Sequence, residues 1–176
     1  FGFALTIQGI YALAAFYFLA VEYSAPPLRF KTTPFLDSLS NGLYVLPGVV
    51  AYIAIAGESP PLLAVAGGWL WTMGMHTFSA VPDIGPDREA GIDTTATVLG
   101  ERPTLIYCGA VWLAAAVLLG LLHPFLGAVF GAYPVLTVLF ALSSVSVDRA
   151  YWWFPVINTV AGAALTMGGV WVVLNG

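Results

Sequence analysis

Two aspartates, Asp83 and Asp87, stand four residues apart in HTFSAVPDIGPDREAGIDTTATVLG, the stretch from His76 to Gly100. Side chains at that spacing share one face of a helix. Pro82, Gly85 and Pro86 disfavour an uninterrupted helix, so the expectation is a broken helix that restarts with Pro86 in its first turn. Either way the two carboxylates can converge on one hard cation. Magnesium takes oxygen ligands and commonly binds through one or two carboxylates plus substrate phosphates. The pair therefore points to Mg2+ with a diphosphate. A solvated acidic loop face is the alternative that spacing alone leaves open. The D-x-[DN]-x-[DN]-G pattern of a calcium loop is absent, and His76 has no partner at zinc-ligand spacing.

Other side chains suit the same chemistry. Arg29, Lys31 and Arg88 carry groups that bind phosphate oxygens, although each would serve equally as a topology marker. Asp37 and Asn41 are four apart beside Ser38, and are expected to share a polar face lining the mouth of a cavity. The alternative is that Asp37 only reaches the interface. Tyr44, Trp71 and Phe78 are candidates to face a cation, each aromatic ring contributing roughly 0.5–2 kcal/mol. His76 is a cavity candidate too, or a histidine hydrogen-bonded between helices. Asp93, Thr94 and Thr95 read as helix caps. The one cysteine, Cys108, reads as a small buried hydrophobe that forms no internal disulfide.

Lipid must be the solvent for the elements that position these groups. The 176 residues are 60% hydrophobic and 8% charged, against about 45–50% and about 25% for soluble domains. Six runs are long enough to cross a bilayer core as helices: 3–21, 35–56, 61–81, 104–122, 125–142 and 153–174. Asp37 is the one Asp, Glu, Lys or Arg within them. The loops at 22–34, 82–103 and 143–152 hold all five basic residues: Arg29, Lys31, Arg88, Arg102 and Arg149. The positive-inside rule places these loops in the cytoplasm, so the protein is expected in the cell membrane with the aspartate motif on the cytoplasmic side. Tyr151, Trp152 and Trp153 fit an interfacial belt. Gly67, Gly74, Gly162 and Gly169 are expected to let helices approach closely. With a net charge of −4 and no basic cluster, nucleic acid is excluded as a partner.

Two motifs carry a family resemblance. DIGPDREAGIDTTATVLG resembles the second aspartate-rich motif of the UbiA prenyltransferase superfamily, D-x-x-x-D-R-x-x-G-x-x-T-x-A-x-x-L-G. Its matching positions are Asp83, Asp87, Arg88, Gly91, Thr94, Ala96, Leu99 and Gly100. YSAPPLRFK, from Tyr23 to Lys31, is similar to the family's Y-S-x-P-P-x-R-x-K loop. The resemblance implies an all-α polytopic membrane bundle, a single domain over 1–176 whose six helices correspond to helices four to nine of nine. It supports Lys31 and Arg88 as diphosphate-binding residues. The first family motif, N-D-x-x-D, is not in the sequence. It is expected to precede Phe1, and residues 1–176 alone are expected not to catalyse. FSAVPDIGPDREAGIDTTATVLGER looks most like haloarchaeal lycopene elongases, within the same superfamily.

The resemblance implies transfer of a prenyl group from an allylic isoprenoid diphosphate donor to a hydrophobic acceptor such as lycopene. Asp83 and Asp87 would hold Mg2+. An allyl cation would then need shelter from water until the acceptor attacks. No residue identifies itself as the base. Transfer to an aromatic or glycerol-phosphate acceptor is a second reading, and a transporter subunit a third. The transporter predicts ionisable groups at mid-membrane, whereas these segments gather their charge on one surface.

Overall fold

The computed structural model describes residues 6–143 and 145–175, all helical or connecting, with no strand among them. The first expected span begins at residue 3, so its first residues lie outside the described ones. Helix α1 (Ile7–Ser24) starts at Thr6, whose hydroxyl oxygen accepts from Gly9 N at 3.4 Å. It stops just short of Pro26 and Pro27, which supply no amide hydrogen and exclude the helical region for the residue before them. A single 3-10 turn (Phe30–Thr32) then leads to α2 (Leu36–Leu39).

The second expected span is not a uniform helix. It tightens after α2 into a 3-10 stretch, Ser40–Val45, before continuing as α3 (Leu46–Ala56). The Trp69 indole packs against Gly42, in space that a side chain there would fill. The same indole N–H donates to the Leu39 carbonyl at 2.9 Å. Helix α3 ends at Gly57, whose φ of 76° suits the left-handed turn that closes a helix.

Helix α4 (Leu62–Ser79) gives way before Pro82 to two short helices, α5 (Ile84–Glu89) and α6 (Thr95–Leu99). Helices α7 (Glu101–Leu122), α8 (Pro124–Leu142) and α9 (Val147–Asn175) complete the chain. The expected 143–152 loop is shorter than the sequence suggested. Helix α9 already begins at Val147, with Asp148 in its first turn, where a negative charge complements the helix dipole. Tyr151 to Trp153 are therefore helical.

Helix α4 packs on α7, α7 on α8, and α1 on α3. Hydrophobic exclusion gives no drive between helices in lipid, so shape must hold them. The core is an aromatic stack: Phe78 lies 4.3 Å from Phe154 between ring centres, and Trp112 lies 5.7 Å from each. Gly74 makes room for the Trp112 indole and Gly67 for Leu119. Gly162 and Gly169, expected to work the same way, face open space.

Four stretches are long and apolar enough to cross a membrane: Leu36–Ala56, Glu101–Leu122, Pro124–Leu142 and Val147–Asn175. Their outer faces carry fully apolar side chains such as Leu142 (81% exposed) and Val173 (84%), which only lipid can cover at low cost. The six-span expectation is thus met for four. Helices α1 and α4, 18 residues each, carry Gln8 and Glu22 in one case and Thr72, His76 and Thr77 in the other.

Candidate active site

The aspartate motif folds as one tight turn. Asp83 immediately precedes α5, and Asp87 N donates to its carbonyl at 2.8 Å, so the two residues stand one turn apart. Asp83 is exposed and Asp87 half-buried. Burial first, and the neighbouring Asp83 charge second, raise the pKa of Asp87 above the ordinary carboxylate value. The chain then reverses at Gly91, whose φ of 67° is one that glycine adopts without steric cost. Thr94 starts α6 with a capping box, its side chain accepting from Thr97 N while Thr97 Oγ1 accepts from Thr94 N.

Two anchors hold this loop in place, one at the exposed Arg88 and one at the buried Asp37. Arg88 donates from Nε (3.1 Å) and Nη2 to the Thr97 carbonyl, tying α5 to α6. Asp37 is fully buried beneath α6, where its carboxylate accepts from Thr95 N at 3.0 Å and from Thr95 Oγ1. Thr95 Oγ1 in turn accepts from Phe35 N at 2.7 Å. The Asp37 carbonyl takes the Asn41 side-chain amide at 2.6 Å.

Two hollows near the motif share one lining residue, His76. The outer one, about 310 Å³, brings Asp87 together with Arg29, Lys31, Tyr23, His76 and Thr94. The inner one, about 420 Å³, is lined by Asn41, Tyr44, Trp71, His76, Tyr151 and Asn158, among others. His76 belongs to both. The edge of the Tyr23 ring meets the imidazole, centres 6.1 Å apart and planes at 80°. Trp71 Nε1 is buried without a hydrogen-bond partner among the described residues. A larger apolar groove of about 760 Å³ lies between α7 and α8 and shares no residue with either hollow.

The sequence candidates divide accordingly. Asp87, Arg29 and Lys31 converge on the outer hollow, and Asn41, Tyr44 and Trp71 on the inner one, with His76 common to both. Asp83 sits beside Asp87 without lining either. Asp37 does not share a cavity face with Asn41, because its carboxylate is spent under α6. Phe78 is also in neither hollow: it is fully buried against Trp112 and Phe154. Arg88 lies in neither as well, with its guanidinium on Thr97. Asn158 and Tyr151 were missed. Asn158 carried a signal, a polar amide within an apolar helix, and it accepts from Tyr133 OH at 2.8 Å.

No cluster of three or more His, Cys, Asp or Glu side chains suited to a metal occurs among the described residues. Two carboxylates one turn apart nevertheless fit magnesium, which is commonly held by one or two carboxylates with the remaining positions filled by substrate phosphates and water.

Three curated relatives share most of the chain. Lycopene elongase/hydratase of Haloferax volcanii is 66% identical over 93% of the chain and 54% of its own length. Its namesake from Halobacterium salinarum is 60% identical over 93% of the chain and 60% of its own length. That of Haloarcula japonica is 57% identical over the whole chain and 60% of its own length. The chain thus spans little more than half the length of these relatives. No solved structure matches it. The model of the UbiA prenyltransferase family matches residues 2–159. With four apolar spans and nine-tenths of its sequence inside that match, the chain is an integral membrane protein and belongs to the UbiA prenyltransferase family.

Proposed function

We propose that the protein moves a prenyl group from an allylic isoprenoid diphosphate to lycopene, elongating it. The observation that carries this reading is the paired hollow. One acidic and two basic side chains, Asp87 with Arg29 and Lys31, share a mouth whose His76 also lines a neighbouring aromatic hollow. A charged head and an apolar tail need that division. The relatives' names supply the acceptor class.

In this reading Asp83 and Asp87 would hold Mg2+, which when bound would neutralise the diphosphate and make it a better leaving group. Arg29 and Lys31 bind its oxygens from the opposite loop, and Arg88 supports them while its guanidinium steadies α6. Tyr44 and Trp71 present ring faces to the allyl cation and keep water from it. Asn41 orients the chamber wall through its bond to the Asp37 carbonyl. The basic loops support a cytoplasmic mouth.

The test is expression from the complete reading frame in lycopene-making cells. Carotenoids extended by prenyl units are expected, and Asp83→Asn or Asp87→Asn should abolish them while membrane insertion persists. Lycopene recovered unchanged from wild-type cells would remove the acceptor. Full activity in both variants would remove the metal ligands.

A further inference from the structure

Resting on that reading, we infer that His76 is the base that takes the proton when water captures the carbocation left on the acceptor. Its position is the first support. His76 alone lines both hollows, so it borders the diphosphate mouth and the chamber alike. Its availability is the second. The imidazole is half-buried and makes no hydrogen bond to a protein group among the described residues. Four neighbouring polar side chains are already engaged. Ser79 donates to the His76 carbonyl at 2.7 Å, Thr72 to the Trp69 carbonyl at 2.8 Å, and the Asn41 amide to the Asp37 carbonyl. Asn158 accepts from Tyr133.

Elimination is the third support. The chamber's remaining polar groups are amides, hydroxyls, phenols and an indole, none of which accepts a proton readily near neutral pH. A neutral imidazole does. Asp87, the carboxylate in the mouth, is committed to the metal in this reading.

The step balances. The acceptor's double-bond electrons form the new carbon–carbon bond, and the diphosphate departs with the carbon–oxygen pair. Positive charge settles on the more substituted carbon of the former alkene. A lone pair of water forms the carbon–oxygen bond there, and the proton that water loses passes to a ring nitrogen of His76. The imidazolium then returns the proton through the mouth to diphosphate or solvent. The product is a prenyl-extended tertiary alcohol.

The experiment separates the two products by mass in cells expressing the protein from its complete reading frame. His76→Gln and His76→Asn should each lower the hydroxylated share of extended carotenoid by about tenfold or more, the size of a modest general-base contribution. Extended carotenoid without the hydroxyl should take its place, formed by direct proton loss. A merely structural role would lower both products together. A hydroxylated share within about twofold of wild type in both variants would overturn the assignment. Loss of all extended carotenoid in both would overturn it too, placing His76 before the cation forms. Failure of the wild type to extend lycopene at all would bring down the acceptor reading and this inference with it.

Discussion

Replacing Asp37 distinguishes an anchor from a substrate contact. In the structure its carboxylate is fully buried and accepts two hydrogen bonds from Thr95, one from the backbone and one from the hydroxyl. Asp37→Ala leaves both donors without a partner, at about 1–3 kcal/mol for each buried group. The Thr95 hydroxyl can rotate, and Thr94 still caps α6 through Thr97, so the expected loss is about 3 kcal/mol, in the lower half of the roughly 2–6 kcal/mol for two such groups. Asp37→Asn keeps one acceptor oxygen and should cost about half as much. Reversible unfolding in mixed micelles measures both. A double-mutant cycle with Thr95→Val should return a coupling of about 1 kcal/mol or more, since the two side chains touch. Prenyl transfer should fall only as far as α6, and with it the aspartate loop, loses its seat. The reasoning is refuted if Asp37→Asn leaves stability untouched while turnover vanishes, because Asp37 would then be acting on substrate.

The raised pKa of Asp87 has a sign that can be checked. Metal needs the deprotonated carboxylate, so magnesium affinity should hold above the raised pKa and fall as pH drops through it, starting above the ordinary carboxylate range. Asp83→Asn removes the second cause of the shift and should move that fall to lower pH, beyond weakening binding. Calorimetric titration of magnesium with inorganic pyrophosphate reads both, and an unmoved midpoint would contradict the pairing. The glycines give a paired control. Gly74→Ala drives a methyl into the rigid Trp112 indole and should cost about 1–3 kcal/mol. Gly162→Ala meets nothing and should be neutral or gain up to about 1 kcal/mol from helix propensity. Equal effects in micelle unfolding would refute the packing account.

Features that depend on local chemistry were legible in the sequence. Pro82 and Pro86 announced the broken helix around the aspartates, and the basic loops placed Arg29 and Lys31 on the side of Asp87. Asp37 failed for a geometric reason. Placing it on one face with Asn41 assumed 3.6 residues per turn, but the chain tightens at Ser40 into 3-10 geometry. With two of the four steps at three residues per turn, Asp37 and Asn41 diverge by about 80° instead of about 40°. The Trp69 indole packs against Gly42 within that stretch, a contact 27 residues away in sequence that no local pattern reveals. Phe78 is different. It stands two positions after His76, about 200° around a regular helix, and the structure seats it in the stack with Trp112 and Phe154.

The same geometry explains why the site takes this form. Helix α4 offers opposite faces to opposite tasks, with Phe78 in the aromatic stack that locks α4 to α7 and α9, and His76 toward the hollows. A rigid stack on one side fixes the imidazole on the other, even though hydrophobic exclusion cannot hold helices together in lipid. The loop above it is seated by the Asp37–Thr95 and Arg88–Thr97 contacts, which spend two charged groups of the motif region on structure. The charges at the mouth, Asp87 with Arg29 and Lys31, then need not also hold the fold, and they can meet a ligand whose own charge is large.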